Sequence, residues 1–251
     1  MKIHRVVELE FKKLPRRFYF LLLVLSSVYY FINLYSTYFI NSLDIDPSPF
    51  IISVQFPRDS IKAINLLFPI WVIIGIAYEF ENKIIQRSIS YGASINDFFI
   101  GKVIFILLII MYFELLSLSG FLITANHYSV TFDFVFLLGF LVHLFVYLLA
   151  YGFFCFFLTV IFRRGVSALV IFFIYSFVEI TFGLYLIRKY SVDLSFLPMH
   201  ILKNFNSVQD NGIVLFYLSH DYYNLTLFLL LLIGLFLGSL VILKRKSLDP
   251  L

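Results

Sequence analysis

Charge is scarce in this chain of 251 residues, with Asp, Glu, Lys and Arg together making up 14% of it. A soluble domain carries about a quarter. Cysteine is scarcer still. Cys155 is the only one, which excludes an intrachain disulfide framework and any cysteine-rich metal site. It sits in an apolar run, where a buried thiol acts as a small hydrophobe. Nucleotide and hydrolase signatures are also missing from the sequence: there is no Gly-x-x-x-x-Gly-Lys-Ser/Thr, no Gly-x-Ser-x-Gly and no His-Glu-x-x-His. No catalytic residue, metal ligand or cofactor site is expected on this chain.

What fills the space is apolar. Hydrophobic residues are 61% and aromatics 20%, with 33 Phe, 17 Tyr and a mean hydropathy of +0.96. That much apolar surface exceeds what one soluble core of this length can hide, so lipid is the expected solvent. In lipid every backbone polar group needs an internal partner, leaving helices or a closed barrel. The runs are about 20 residues long and do not alternate, which favours helices.

Six spans are predicted, at about 18–40, 63–78, 98–123, 132–161, 166–187 and 225–243. The fourth is about 45 Å as a straight helix, against a core of about 30 Å, so it is expected to tilt, protrude or bend, and Gly139 or Gly152 could absorb a bend. Ahead of the first span, Ile3, Val6, Val7, Phe11 and Leu14 share one helical stripe opposite Lys2, Arg5, Glu8, Lys12 and Lys13, and Pro15 ends the pattern. Residues 1–15 are therefore expected to lie as a basic helix in the membrane interface and to be retained rather than cleaved as a signal peptide. Residues 41–60 have the Asp and Pro content of a loop. Residues 188–224 are too apolar for a free loop and too interrupted for a span, so short re-entrant or interfacial helices are expected there.

Of the 19 Lys and Arg, fourteen fall in the N-terminal segment, the second and fourth connections and the tail. The positive-inside rule places that face, and both termini, in the cytoplasm.

The second connection is the most informative polar passage. Glu79 to Ser90 is helix-compatible, Gly92 suits a helix-ending left-handed position, and Ser94-Ile95-Asn96-Asp97 fits an N-cap box. The expectation is a rigid elbow over 79–97. Glu79, Glu81, Lys83, Gln86 and Arg87 would form its mixed-charge outer face, while Ile84, Ile85 and Ile89 pack back on the membrane domain.

The run Glu79-Phe80-Glu81-Asn82, then Ile89-Ser90-x-Gly92-x-Ser94, then Phe98-x-x-Gly101-Lys102 resembles the coupling segment of ABC-2-type permeases. This chain departs from that pattern with Lys83-Ile84 where Gly-Thr is common, Asn96 where Arg is often seen, and Gly92 for the commoner Pro. The resemblance covers nearly the whole chain. It implies an all-α membrane fold and a homodimer or heterodimer of permeases in the cell inner membrane. It also implies docking of a separate cytoplasmic ATPase, holding ATP and magnesium, on Glu79, Glu81, Lys83, Gln86, Arg87, Tyr91, Gly92 and Ser94. The bilayer and that ATPase are the expected partners, and nucleic acid is not.

Glu114, His143 and Glu179 lie within the third, fourth and fifth predicted spans. A charge at mid-membrane costs about 2.5–3.5 kcal/mol on insertion scales, so each is a functional candidate. Packing roles are favoured for Glu114 and His143. Ser176, Glu179 and Gly183 share a stripe on the fifth span, whose counterpart in the resembled family helps line the central path. Ser26, Asn33 and Thr37 form a similar stripe on the first. Asn33, Ser176 and Glu179 are therefore the candidate path residues. The expected function is the permease subunit of an ATP-driven exporter. The alternatives are a non-transporting scaffold or sensor with the same fold, or an intramembrane enzyme.

Overall fold

A computed structural model describes residues 16–36, 56–84, 94–127, 134–190, 197–199, 201 and 222–247. Six long α-helices follow in chain order, α1 (Arg16–Tyr35), α2 (Phe56–Glu81), α3 (Ile95–His127), α4 (Phe134–Phe162), α5 (Gly165–Tyr190) and α6 (Tyr222–Ser247), and Pro198, Met199 and Ile201 are helical within the segment expected to hold short helices. Four stretches are long and apolar enough to cross a membrane: Asp59–Glu81, Ile95–His127, Leu137–Phe162 and Thr226–Arg245. Phe20–Tyr35 and Gly165–Glu179 are apolar but shorter. Each helix overlaps one predicted span. The predicted interfacial helix 1–15 lies outside the described residues.

One boundary differs clearly. Residues 56–60 were expected in a loop, but α2 begins at Phe56. Pro57 falls in its first turn, where a missing N–H removes no intrahelical bond. Asp59 sits in that turn and accepts from Lys62 Nζ at 2.9 Å. Ser60 Oγ is buried against Tyr30 Oη (2.7 Å) and Ser117 Oγ (3.1 Å), so tertiary contacts hold this turn in register.

Three helices make the centre and three cover it. α2, α3 and α4 pack mutually; α1 lies along α2 and α3, α5 along α2 and α4, and α6 along α3 and α4. Each outer helix thus occupies one groove of the central triplet. The apolar window of α4 is 72% buried and that of α6 is 22% buried. An all-round apolar helix suits the first position, and a lipid-facing surface explains the second.

Aromatic rings fill the grooves. Phe68 of α2 stacks on Tyr151 (6.0 Å, 17°) and meets Phe113 edge-on at 5.8 Å. Phe236 of α6 inserts between Phe99 (5.0 Å) and Phe153 (5.3 Å), both edge-to-face. Gly152 is a close-packing position. A Cβ there would stand 2.6 Å from Ile106 Cγ2 and 3.3 Å from Phe68 Cζ, so only glycine lets α4 approach α2 and α3 this closely.

Pro69 lies inside α2, and its ring nitrogen cannot donate to the carbonyl of Asn65. α4 supplies the substitute. Tyr151 Oη donates to Asn65 O at 3.4 Å, and Tyr147 Oη donates to Asn65 Oδ1 at 2.8 Å. The two tyrosines are one turn apart and stacked at 5.7 Å. On the other side of α3, Tyr112 Oη meets Ser26 Oγ (2.7 Å) and Ser27 Oγ (2.8 Å) and lies 3.0 Å from Leu23 O. These polar groups serve helix–helix contacts, while Thr124, Thr159 and Ser239 bond to carbonyls of their own helices, as an apolar solvent requires.

Candidate functional site

The elbow's two ends are described, and both are built by local chemistry. α2 closes with Asn82 N donating to Tyr78 O (3.1 Å), Lys83 N to Phe80 O (3.2 Å) and Asn82 Nδ2 to Tyr78 O (2.8 Å). Lys83 then takes φ = 56°, the left-handed turn that ends helices and that glycine adopts without strain. α3 opens with the expected N-cap box. Ser94 Oγ accepts from Asp97 N at 3.1 Å, and Asp97 Oδ2 accepts from Ser94 N (3.2 Å) and Ser94 Oγ (2.8 Å).

α2 ends with Glu79 and Glu81 in its last turn and no basic residue there. Carboxylates at a helix C-terminus oppose the macrodipole, at about 0.3–1 kcal/mol each. Neighbouring helices compensate for both. Glu79 is fully buried and accepts from Lys102 Nζ of α3, itself 1% exposed. The Lys102 ammonium also lies 5.1 Å from the Phe98 ring centre and 5.6 Å from that of Phe105. Glu81 Oε1 accepts from Gly165 N of α5 at 2.7 Å.

The second contact follows from the α4–α5 turn. Arg163 takes φ = 55° and its N–H closes α4 on Thr159 O at 2.8 Å. Arg164 precedes Gly165, and arginine is no N-cap, having only donors. The first N–H of α5 is capped instead by a carboxylate from α2. A Cβ on Gly165 would lie 3.2 Å from Ala77 Cβ, so glycine permits the approach that makes this cap possible.

These positions correct part of the sequence reading. Glu79 does not belong to an outward face, because its carboxylate is enclosed with Lys102. No separate elbow helix starts at Glu79, since α2 runs unbroken to Glu81 and its first break is at Lys83. Glu81, Lys83 and Ser94 are exposed. Gln86, Arg87, Tyr91 and Gly92 lie outside the described residues.

Of the candidate path residues, Asn33 lies on α1, and Ser176 and Glu179 lie on α5. Asn33 donates to Tyr29 O at 3.0 Å and borders a cleft of about 290 Å³ lined by Tyr29, Leu34, Asp59, Lys62 and Ala63, all from α1 and α2. Glu179 is buried on α5. Ser176 is half-buried on the same helix. His143 is buried on α4, and Glu114 is half-buried on α3.

Lys102, Gly165 and the Asn65–Tyr147–Tyr151 group are the residues that motif reading passed over as site members. Two signals pointed to them: carboxylates at the wrong end of a helix, and a proline in mid-span. Compared with models of known protein families, with curated proteins and with solved structures, the chain matches none.

Proposed function

We propose that this chain is the membrane-spanning permease subunit of an ATP-driven exporter, docking a separate cytoplasmic ATPase on the elbow between α2 and α3. All six helices would span the inner membrane with both termini in the cytoplasm, and two permeases would pair around a path. ATP and magnesium would be held by the ATPase. The observation that carries this reading is Lys83. Its φ of 56° falls where ABC-2-type permeases commonly carry the glycine of a Gly-Thr pair, so the backbone keeps the turn that this residue type only tolerates. Further support comes from α2 being locked to α3 by a buried ion pair directly beside that turn. A docking lever must be stiff at its root, and an elbow can drive its helices only if nucleotide states bind it differently.

The test is purification of the chain from native membranes in mild detergent. A P-loop ATPase is expected to copurify and to be lost from Lys83→Glu/Arg87→Glu, with thermal stability unchanged. A wild-type chain that brings no nucleotide-hydrolysing partner overturns the reading.

A further inference from the structure

We propose that Glu81 is a positioning residue that ties the start of α5 to the elbow, so that elbow movement reaches α3 and α5 together. This rests on the permease reading above. Glu81 is the last residue of α2 before the Asn82–Lys83 break, and its carboxylate holds the first N–H of α5 at 2.7 Å. Two residues earlier Glu79 holds α3 through Lys102. Residues i and i+2 of a helix point to nearly opposite sides, so the two glutamates grip different neighbours from one turn. The α4–α5 connection is only Arg163 and Arg164, which leaves the start of α5 a pivot rather than a slack loop. From Gly165 to Ser176 is about 16 Å along α5. A displacement at the cytoplasmic end is therefore delivered to the stretch that carries Ser176 and Glu179. The close approach of Gly165 to Ala77 lets α2 and α5 move as one body.

Two experiments on the copurified chain–ATPase complex decide this. In the first, Glu81→Ala is expected to lower ATPase turnover about fivefold or more while the ATPase stays bound, as loss of one charge-assisted bond implies. Glu81→Gln keeps an acceptor oxygen and is expected to restore at least half of the loss. If Gln is as poor as Ala, Glu81 acts by its charge at the docking surface and the proposal fails. If Ala has no effect, it also fails.

In the second experiment, Ala77→Cys/Gly165→Cys in a Cys155→Ala background is oxidised with and without ATP and vanadate. The Cβ separation of 3.2 Å is within a few tenths of an ångström of disulfide geometry. Equal cross-linking in both states, with turnover unchanged from that of the reduced double-cysteine variant, is the expected result. Cross-linking confined to one state, or turnover abolished by the cross-link, overturns the one-body movement. Absence of any ATPase from the wild-type complex sinks the permease reading itself, a separate result from either failure.

Discussion

Glu79 and Glu81 each oppose the dipole of the helix that carries them, and each is matched by a donor on another helix. Removing one partner of the buried pair leaves a charge enclosed in apolar surroundings. Glu79→Ala or Lys102→Ala is expected to cost about 3–5 kcal/mol, seen as a large drop in melting temperature in detergent. The double variant Glu79→Leu/Lys102→Leu is expected to recover most of that loss, since an apolar pair carries no desolvation penalty. If the double variant melts no higher than the singles, the pair is not a self-contained unit. At Lys83 the expectation has the opposite sign. A left-handed residue with a Cβ is strained by about 1–2 kcal/mol, so Lys83→Gly is expected to stabilise by about 1 kcal/mol after the extra unfolded-state entropy of glycine is subtracted. Lys83→Val, β-branched at positive φ, is expected to melt lower than wild type. Equal melting of all three would remove the strain argument.

Among the helices, α2 depends most on its neighbours. Pro69 breaks its hydrogen-bond ladder, and Tyr151 of α4 takes the freed carbonyl. Tyr151→Phe is expected to destabilise by about 1–3 kcal/mol, the desolvation penalty of an unmet buried group. In a Pro69→Ala background the ladder is whole, and the same change is expected to cost less. A double-mutant cycle on melting or urea unfolding in mild detergent reads this coupling directly. Additivity of the two changes would show that Tyr151 does not serve the proline. α4 has its own requirement at Gly152, where a Cβ would press on Ile106 and Phe68. Gly152→Val is expected to force the α2–α3–α4 centre apart, at about 1–3 kcal/mol or more.

All six helices were legible, because a 3.6-residue or all-round apolar pattern over about 20 residues is a local property. The Ser94–Asp97 box was legible for the same reason: cap and partner lie three residues apart. The early start of α2 was not, since residues 56–60 have loop composition and are held by Tyr30 and Ser117 from other helices. The break at Lys83 was likewise hidden, as lysine carries no left-handed signal.

For the whole molecule, a central triplet with one outer helix in each groove leaves α1, α5 and α6 with broad exposed apolar surfaces, including Phe20, Val166, Phe177 and Leu230. The Lys and Arg asymmetry gives an expected topology, with both termini on one side, that is directly testable. In a Cys155→Ala background, single cysteines at Asn82 and Arg164 are expected to react with an impermeant maleimide from one side of sealed vesicles. A cysteine at Asp59 is expected to react from the other side. Labelling of Asn82→Cys and Arg164→Cys from opposite sides would rule out six spans in this order.

The elbow that the sequence marked as a docking segment is, at its root, a clasp. By itself the sequence determined the solvent class, the helical fold, the approximate ends of the helices other than the start of α2, and the cap at Ser94, because each is written in composition or in spacings of a few residues. Only tertiary structure decided that Glu79 faces inward to Lys102 and that Glu81 caps α5, 23 and 84 residues away along the chain. A charge declares its type in the sequence, but the neighbour that compensates for its burial is chosen by how the helices pack.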